Sequence, residues 1–280
     1  RVVHGGSEFT GPVGVTRDII ARLKDLIPLA PHHQPHNVAA METLADLDQV
    51  ACFDTAFHSQ MPSEARQTGL PSRFADQGIR RYGFHGLSYE YVMGELRRRH
   101  GHDTANSRVI IAHLGNGASM AAIRDGVSVD TSMGFSALGG LLMGTRSGDL
   151  DPGIILHLLM ERSMTAEQVM HLLYEQSGLL GVSGLSRNMQ ELLARSGSVA
   201  AAAEAVDFFC YQARKHLAAL TSSLGGLDRL VFTGGIGANA CEVRAGICGG
   251  LDYLGIVLDE TRNAAGETVI SGSGSAVVVE

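Results

Sequence analysis

The sequence predicts an α/β protein. Three observations carry the prediction: short apolar runs bounded by turn residues, helical periodicity interleaved with them, and a composition able to bury a core. Of 280 residues, 45% are hydrophobic and 18% charged, which excludes a disordered chain. A chain this long forms one large domain or two modest ones. The 35 glycines follow no collagen-type period, so they mark tight turns and loops that approach a ligand.

The elements follow in order. Apolar spacing near 3.6 predicts helices over 16–27 and 37–49, and strands over 50–53 and 80–84. Residues 88–100 continue as a helix with Ser88 as N-cap and Gly101 as its stop. Strands over 109–113, 119–123 and 127–131 come next. Arg124-Asp125-Gly126 joins the last two as a hairpin, since Asp-Gly favours positive φ. Helices are predicted over 153–161 and 165–175, the second capped by Thr165. The longest helix covers 198–224. Its stripe of Val199, Ala203, Val206, Cys210, Leu217, Leu220 and Leu224 reads as core packing. Strands over 229–233, 253–258, 267–270 and 276–279 complete the chain, with 271–275 a Ser/Gly turn.

Charge and motif absences exclude several functions. Lys and Arg number 22 against 29 Asp and Glu, a net charge of −7 without a basic run, which argues against nucleic-acid binding. Lys24 and Lys215 are the only lysines and neither follows a glycine, so the P-loop signature is absent. Phosphate would be handled by arginine, histidine and backbone N–H groups. Cys52, Cys210, Cys241 and Cys248 form no C-x-x-C pair and read as reduced thiols of a cytosolic protein. No apolar run reaches the ~18 residues of a membrane helix, and no signal peptide is visible. The chain starts at Arg1 without a Met and finishes on an apolar run and Glu280, so both ends read as interior to something longer.

Chemistry concentrates in five places. Arg146 sits among Gly144, Thr145, Ser147 and Gly148, downstream of Asp130-Thr-Ser-Met-Gly-Phe135; a guanidinium there either faces an anion or stitches a loop to Asp149 or Asp151. His113-Leu-Gly-Asn-Gly117 follows a buried-looking strand and makes either an anion cradle or an ordinary Asn-Gly turn. His85 stands just before a helix start, where anions are favoured, though a lone histidine is more often structural. Asp54 lies at the C-terminal end of a strand and could ligate Mg²⁺, act as a base or cap a helix. Gly235-Ile-Gly-Ala-Asn-Ala240 follows a strand, with Asp259 about 20 residues on, which matches the dinucleotide-binding fingerprint. An NAD-dependent oxidoreductase is therefore a second hypothesis. Too little chain follows Asp259 for a doubly wound sheet, and the same turn can hold the phosphates or adenosine of a mononucleotide.

Taken together, the motifs resemble the acetate/propionate kinase family. Arg1-Val-Val-His-Gly-Gly6, Phe53-Asp-Thr-Ala-Phe-His58, Tyr82-Gly-Phe-His-Gly86, His113 to Gly117, Asp130 to Phe135, Gly144-Thr-Arg146, Leu150-Asp-Pro152 and Gly234-Gly-Ile-Gly237 occur in the family's order. The resemblance implies the actin-like ATPase (ribonuclease H-like) fold: two related α/β domains with mixed sheets. Residues 1–56 would be the remnant of an incomplete first domain and residues 57–280 the second, nucleotide-binding domain.

The implied reaction converts ATP and acetate to acetyl phosphate and ADP with Mg²⁺ or Mn²⁺, in a cytoplasmic homodimer without nucleic-acid or membrane partners. Propionate or another short-chain acid is the alternative acceptor. By likeness, Asp54, His85 and Arg146 are catalytic, and Arg1, Val3 and Phe84 hold the substrate. His113, Leu114, Gly115, Asn116, Gly117, Asn188, Met189, Gln190, Gly235, Ile236, Gly237, Ala238 and Asn239 would contact the nucleotide. The family's metal-binding Asn and Glu would lie outside residues 1–280, leaving Asp54 as the metal candidate, and weak or no turnover is expected of this 280-residue form. Several positions depart from the pattern. Asn188 and Gln190 stand where Asp and Arg are common, Ser7 and Ala238 where Glu is frequent, and Ala137 where many members have Pro.

Overall fold

A computed structural model of the chain describes residues 1–101 and 107–280. Backbone packing divides it into two compact units. One comprises Arg1–Ser107 with Ala121–Ala137, the other Arg108–Met120 with Leu138–Glu280. The boundary expected after residue 56 concerns a domain duplication, a different division from packing units.

In the first unit, β1 (Val13–Gly14) pairs antiparallel with β2 (Val50–Ala51). Helix α1 (Arg17–Asp25) starts where the Thr16 hydroxyl accepts from the Ile19 N–H, and α2 (Gln34–Thr43) carries a proline in its first turn. Val2, Phe9, Leu23, Val38, Met41, Ala51 and Phe53 form the core between them, with the Phe9 and Phe53 rings stacked 5.0 Å apart. Two short helices follow, α3 (Ser63–Arg66) and α4 (Ser72–Asp76).

Residues 80–84 are not a strand. Arg81 N–H donates to the Arg66 carbonyl and Tyr82 N–H to the Gly134 carbonyl, while Arg81 Nη1 bonds the carbonyls of Thr131 and Met133. The backbone there serves loops, so no ladder forms. Helix α5 (Gly86–His100) begins at His85 rather than Ser88, and Gly101 ends it as expected.

In the second unit, the sheet runs β4, β3, β6, β7. Strand β3 (Arg108–Leu114) is buried through Val109–Ala112 and leads into β4 (Ala118–Arg124). Strand β4 runs on into the first unit, where Ala121 to Arg124 pair antiparallel with β5 (Val127–Thr131). Asp125 and Gly126 both have positive φ, the hairpin turn the sequence predicts. Strand β6 (Arg229–Thr233) pairs parallel with β3, Val109 opposite Arg229 and His113 opposite Thr233, and with β7 (Val278–Val279) on its other side. Parallel register sets the C-terminal ends of β3 and β6 side by side, where ligands of α/β sheets bind.

The helices of this unit are α6 (Pro152–Met160), α7 (Ala166–Glu175), α8 (Gly178–Ser183), α9 (Met189–Ser196), α10 (Ala200–Leu224), α11 (Gly234–Asn239), α12 (Cys241–Cys248) and α13 (Glu260–Ala265). Thr165 and Gln168 form a complete capping box on α7. Helix α10 packs on α8, α9, α12 and β3. Its buried face runs through Ala202, Val206, Phe209, Ala213, Leu217, Leu220 and Leu224, while Ala203 is half-buried at its edge. Two expected strands are absent. Residues 252–254 form a 3₁₀ turn closed by Gly255 at φ +81°, leaving Leu258 in a single bridge to Ser271. In 267–270, only Ile270 finds a strand partner, donating to the Val279 carbonyl.

All four cysteines are free thiols. Burial pushes Cys210 up to about 11 and Cys248 up to about 12. Among the described residues, no helix is long and apolar enough to cross a membrane.

Candidate functional site

Asp54 is placed by its neighbours in space. Val2 forms a parallel bridge with Phe53; its N–H donates to Cys52 O, and Asp54 N–H donates to Val2 O at 3.0 Å. That pairing brings Arg1 beside Asp54. Arg1 Nε reaches both carboxylate oxygens at 3.1 and 3.0 Å, and Nη2 reaches Oδ2 at 2.5 Å. Asp54 is 1% exposed whereas the Arg1 side chain is 56% exposed. Burial raises the Asp54 carboxyl above its ordinary pKa; Arg1 and the Leu87 backbone N–H pull against that shift. The cation thus presents to solvent while its counter-ion is enclosed.

Helix α5 is locked to the same carboxylate-bearing residue. Gly86 N–H donates to Asp54 O at 3.0 Å, and a Cβ at Gly86 would lie 2.0 Å from that oxygen. Only glycine permits this approach. It leaves His85 in the left-handed region at φ +59°, an uncommon state for a non-glycine residue and one often found at functional positions. Phe84 and Val3 are both buried, with His4 edge-on to the Phe84 ring. His58 Nε2 donates to Phe84 O, fixing its tautomer, and its Nδ1 accepts from the Ser128 hydroxyl. Burial lowers His4 and His58 to about 4, so both rings are neutral near pH 7.

In the second unit, Arg146 belongs to a loop held from several sides. Met143 O accepts from Leu179 N–H, Gly144 O from Leu180 N–H and Thr145 O from Ser177 N–H. Gly178 sits so close that a Cβ there would lie 2.2 Å from Met143 O. Gly144 N–H donates to Asn116 O, joining this loop to the turn after β3. Burial lowers the Arg146 pKa, with Tyr174 and Glu175 opposing; guanidinium keeps its charge regardless. Of the two carboxylates considered as stitches, Asp149 accepts from Gly140 N–H at 2.6 Å and Asp151 caps α6.

The turn after β3 and helix α11 after β6 border a cavity of about 910 Å³. Gly115, Asn116, Asn188, Met189, Gln190, Gly235, Ile236 and Asn239 line it, all named from the sequence. His113, Leu114, Gly117, Gly237 and Ala238 are not in its lining. Arg187, Leu193, Ala240 and Glu242 are; Ala240 closes the Gly235–Ala240 fingerprint, and sequence reasoning missed the other three. Arg187 adjoins Asn188 and so brings a guanidinium to the wall beside the expected Asp-to-Asn and Arg-to-Gln departures. Asn188 Oδ1 caps α9 by accepting from Gln190 N–H. Beneath the wall, buried Arg244 donates to the carbonyls of Gly237, Ala238 and Asn263 and to Asn263 Oδ1.

The dinucleotide alternative does not assemble. Asp259, its presumed ribose ligand, caps α13 by accepting from Arg262 N–H. The strand that should precede it is a 3₁₀ turn. Among the described residues, no three His, Cys, Asp or Glu gather as a metal cage. Asp54 contributes one carboxylate, already gripped by Arg1. A buried carboxylate is a hard oxygen donor of the kind Mg²⁺ takes.

Comparison with solved structures defines the class: a phosphotransferase with the actin-like ATPase fold. The chain matches Porphyromonas gingivalis acetate kinase with a TM-score of 0.91 at 40% identity, covering 100% of this chain and 72% of that one. It matches a propionate kinase from Francisella tularensis with a TM-score of 0.94 at 38% identity, covering 100% and 74%. By sequence, it is 52% identical over 278 residues to the acetate kinase of Rhodopseudomonas palustris, covering 98% of this chain and 68% of that protein. The family model described as the acetokinase family matches residues 1–280. The chain belongs to the acetokinase family.

Proposed function

We propose that the protein transfers the γ-phosphoryl group of ATP reversibly to acetate, giving acetyl phosphate and ADP. One observation carries the reading: a 910 Å³ cavity lined by the Gly115-Asn116 turn and helix α11, in a chain 52% identical to an acetate kinase. In the forward direction, a carboxylate oxygen attacks Pγ, the bond from Pγ to the bridging oxygen breaks, and ADP departs with the electron pair. Such a transfer needs positioning and charge neutralisation rather than covalent help.

The roles are those the family resemblance implies, and the contacts of several side chains support them. Asp54 grips Arg1 through Nε and Nη2, which leaves Nη1 to receive the acetate carboxylate. Val3 and Phe84 enclose the methyl group. Arg146, its guanidinium set by the clamped 143–146 loop, stabilises charge on the transferring phosphoryl. His85 would donate to the transition state. The cavity residues hold the nucleotide, His113 and Gly117 assisting at the phosphates. Mg²⁺ would bind through the phosphates with Asp54 as its protein carboxylate, and it would neutralise phosphate charge.

A cytoplasmic homodimer is part of the reading. Helix α6 supports association: none of its nine residues is buried, and Ile154, Leu156 and Met160 are exposed. So is a domain boundary after residue 56. Propionate is the second acceptor to consider, given the F. tularensis neighbour, because one methylene in an apolar pocket is worth only about 1–3 kcal/mol. ³¹P NMR of the protein with MgATP and acetate tests the reading. Acetyl phosphate and ADP should accumulate together; ADP with inorganic phosphate alone would overturn it.

A further inference from the structure

We infer that the first unit carries a separate anion site, a small cavity that binds a multivalent oxyanion of the phosphate type. It encloses about 210 Å³, and Arg66, Arg80 and Arg81 line it together with Ser7, Thr10 and Tyr82. Among the described residues, no carboxylate is in its lining, nor is Arg1, Asp54 or His85. It is therefore distinct from the groups assigned to acetate, and the inference does not rest on the kinase reading.

The charges are unusually placed. Arg80 Nε is buried with no hydrogen-bond partner. Its guanidinium stands 5.1 Å over the Tyr82 ring, a contact that orients it without satisfying the N–H. Among the described residues, neither Arg66 nor Arg80 has an ion-pair partner. Arg81 is fixed by Nη1 donating to the Thr131 and Met133 carbonyls. His58, also in the wall, is neutral, so the positive charge is all guanidinium.

Three half-buried cations around one pocket repel one another, and the buried Arg80 Nε without an acceptor costs free energy. An anion relieves both penalties. Guanidinium forks match the geometry of phosphate oxygens, and hydroxyls accommodate the rest. Ser7 supplies one, its oxygen 3.4 Å from that of Tyr82, whose own O–H is spent on the Gly78 carbonyl. The volume suits inorganic phosphate or pyrophosphate and is too small for a nucleotide, whose class of ligand fills ~300–1,000 Å³.

Isothermal titration with inorganic phosphate and with pyrophosphate, in chloride buffer without nucleotide, tests the site. The wild-type protein should bind at least one of them, and which one distinguishes a mono- from a diphosphate ligand. Arg146→Ala reports phosphate bound at the nucleotide side and should leave this affinity unchanged. Arg66→Gln and Arg80→Gln should each weaken it roughly tenfold or more. Ser7→Glu should abolish it by placing a carboxylate among the arginines, while far-UV circular dichroism verifies folding. Ser7→Glu binding both anions as tightly as wild type would overturn the inference. So would loss of binding in Arg146→Ala alone, or no wild-type binding at millimolar anion.

Discussion

Arg244 ties stability to the nucleotide cavity, and its removal has a magnitude that can be worked out. The residue is 5% exposed and makes four hydrogen bonds of 2.7 to 2.9 Å, to the carbonyls of Gly237, Ala238 and Asn263 and to Asn263 Oδ1. Arg244→Met keeps an unbranched stem and deletes every donor. Ala238 is exposed, so its carbonyl regains water. Gly237 and Asn263 are buried, and their acceptors stay unpaired at about 1–3 kcal/mol each. The expected loss is about 3–5 kcal/mol, a large share of the ~5–15 kcal/mol that stabilises a typical domain. Arg244→Lys should recover only part, since an ammonium lacks the planar fork that reaches acceptors on both sides. Urea unfolding followed by circular dichroism measures the loss. ADP titration should show weaker binding in the same variants, because Gly237 and Ala238 lie between the cavity residues Ile236 and Asn239. A loss below about 1 kcal/mol for Arg244→Met would refute the reasoning, since it would mean the carbonyls find other partners.

Gly178→Ala should displace the loop that carries Arg146, because the added Cβ would lie 2.2 Å from Met143 O at φ +66°. Steady-state kinetics should show kcat falling roughly tenfold or more, with ADP affinity nearly unchanged; an unaltered kcat would contradict the clamp. Stability should fall on acidification. His4 and His58 sit at about 4 when folded against 6.5 when unfolded, so the unfolded chain takes up protons first as pH drops. Their contribution is complete above pH 6.5 and is lost as pH falls towards 4. Between pH 7 and 5.5 the pair should remove about 2.5 kcal/mol. Asp54 works in the opposite direction, because its raised carboxyl binds a proton more readily when folded. Urea unfolding at the two pH values measures the balance, and equal stability would contradict it.

Much of the second unit was legible because its signals are local. The strand 229–233 is bounded by turn residues and matches the observed β6, and the capping pair Thr165 and Gln168 starts a helix where predicted. In the first unit, the Asp-Gly hairpin was also readable, since two adjacent positive-φ positions leave few alternatives. Residues 80–84 look like a strand by alternation, yet Arg81 and Tyr82 bond loop groups some 50 residues away. No window of sequence contains that competition. The helix start at His85 was missed for a similar reason. Gly86 packs against the Asp54 carbonyl, and that contact, not a cap, sets the boundary. For the candidate site, the segments after β3 and β6 were visible as Gly- and Asn-bearing motifs, and at Gly234 the backbone requires glycine, with φ +79° and a Cβ 2.5 Å from Leu114 O. Arg187 and Glu242 were not, because they are ordinary exposed-type residues that become cavity walls only once the sheet brings the two segments together. The depth of Asp54 was equally hidden, since it depends on Arg1 pairing across 53 residues.

The most direct test of the central claim is acyl phosphate formation. The protein, MgATP and acetate, propionate or butyrate would be incubated with hydroxylamine, which traps any acyl phosphate as a coloured hydroxamate. The account predicts colour with acetate above the longer acids, and its loss in Arg146→Ala. No hydroxamate from any of the three acids, or colour unchanged by Arg146→Ala, would contradict it.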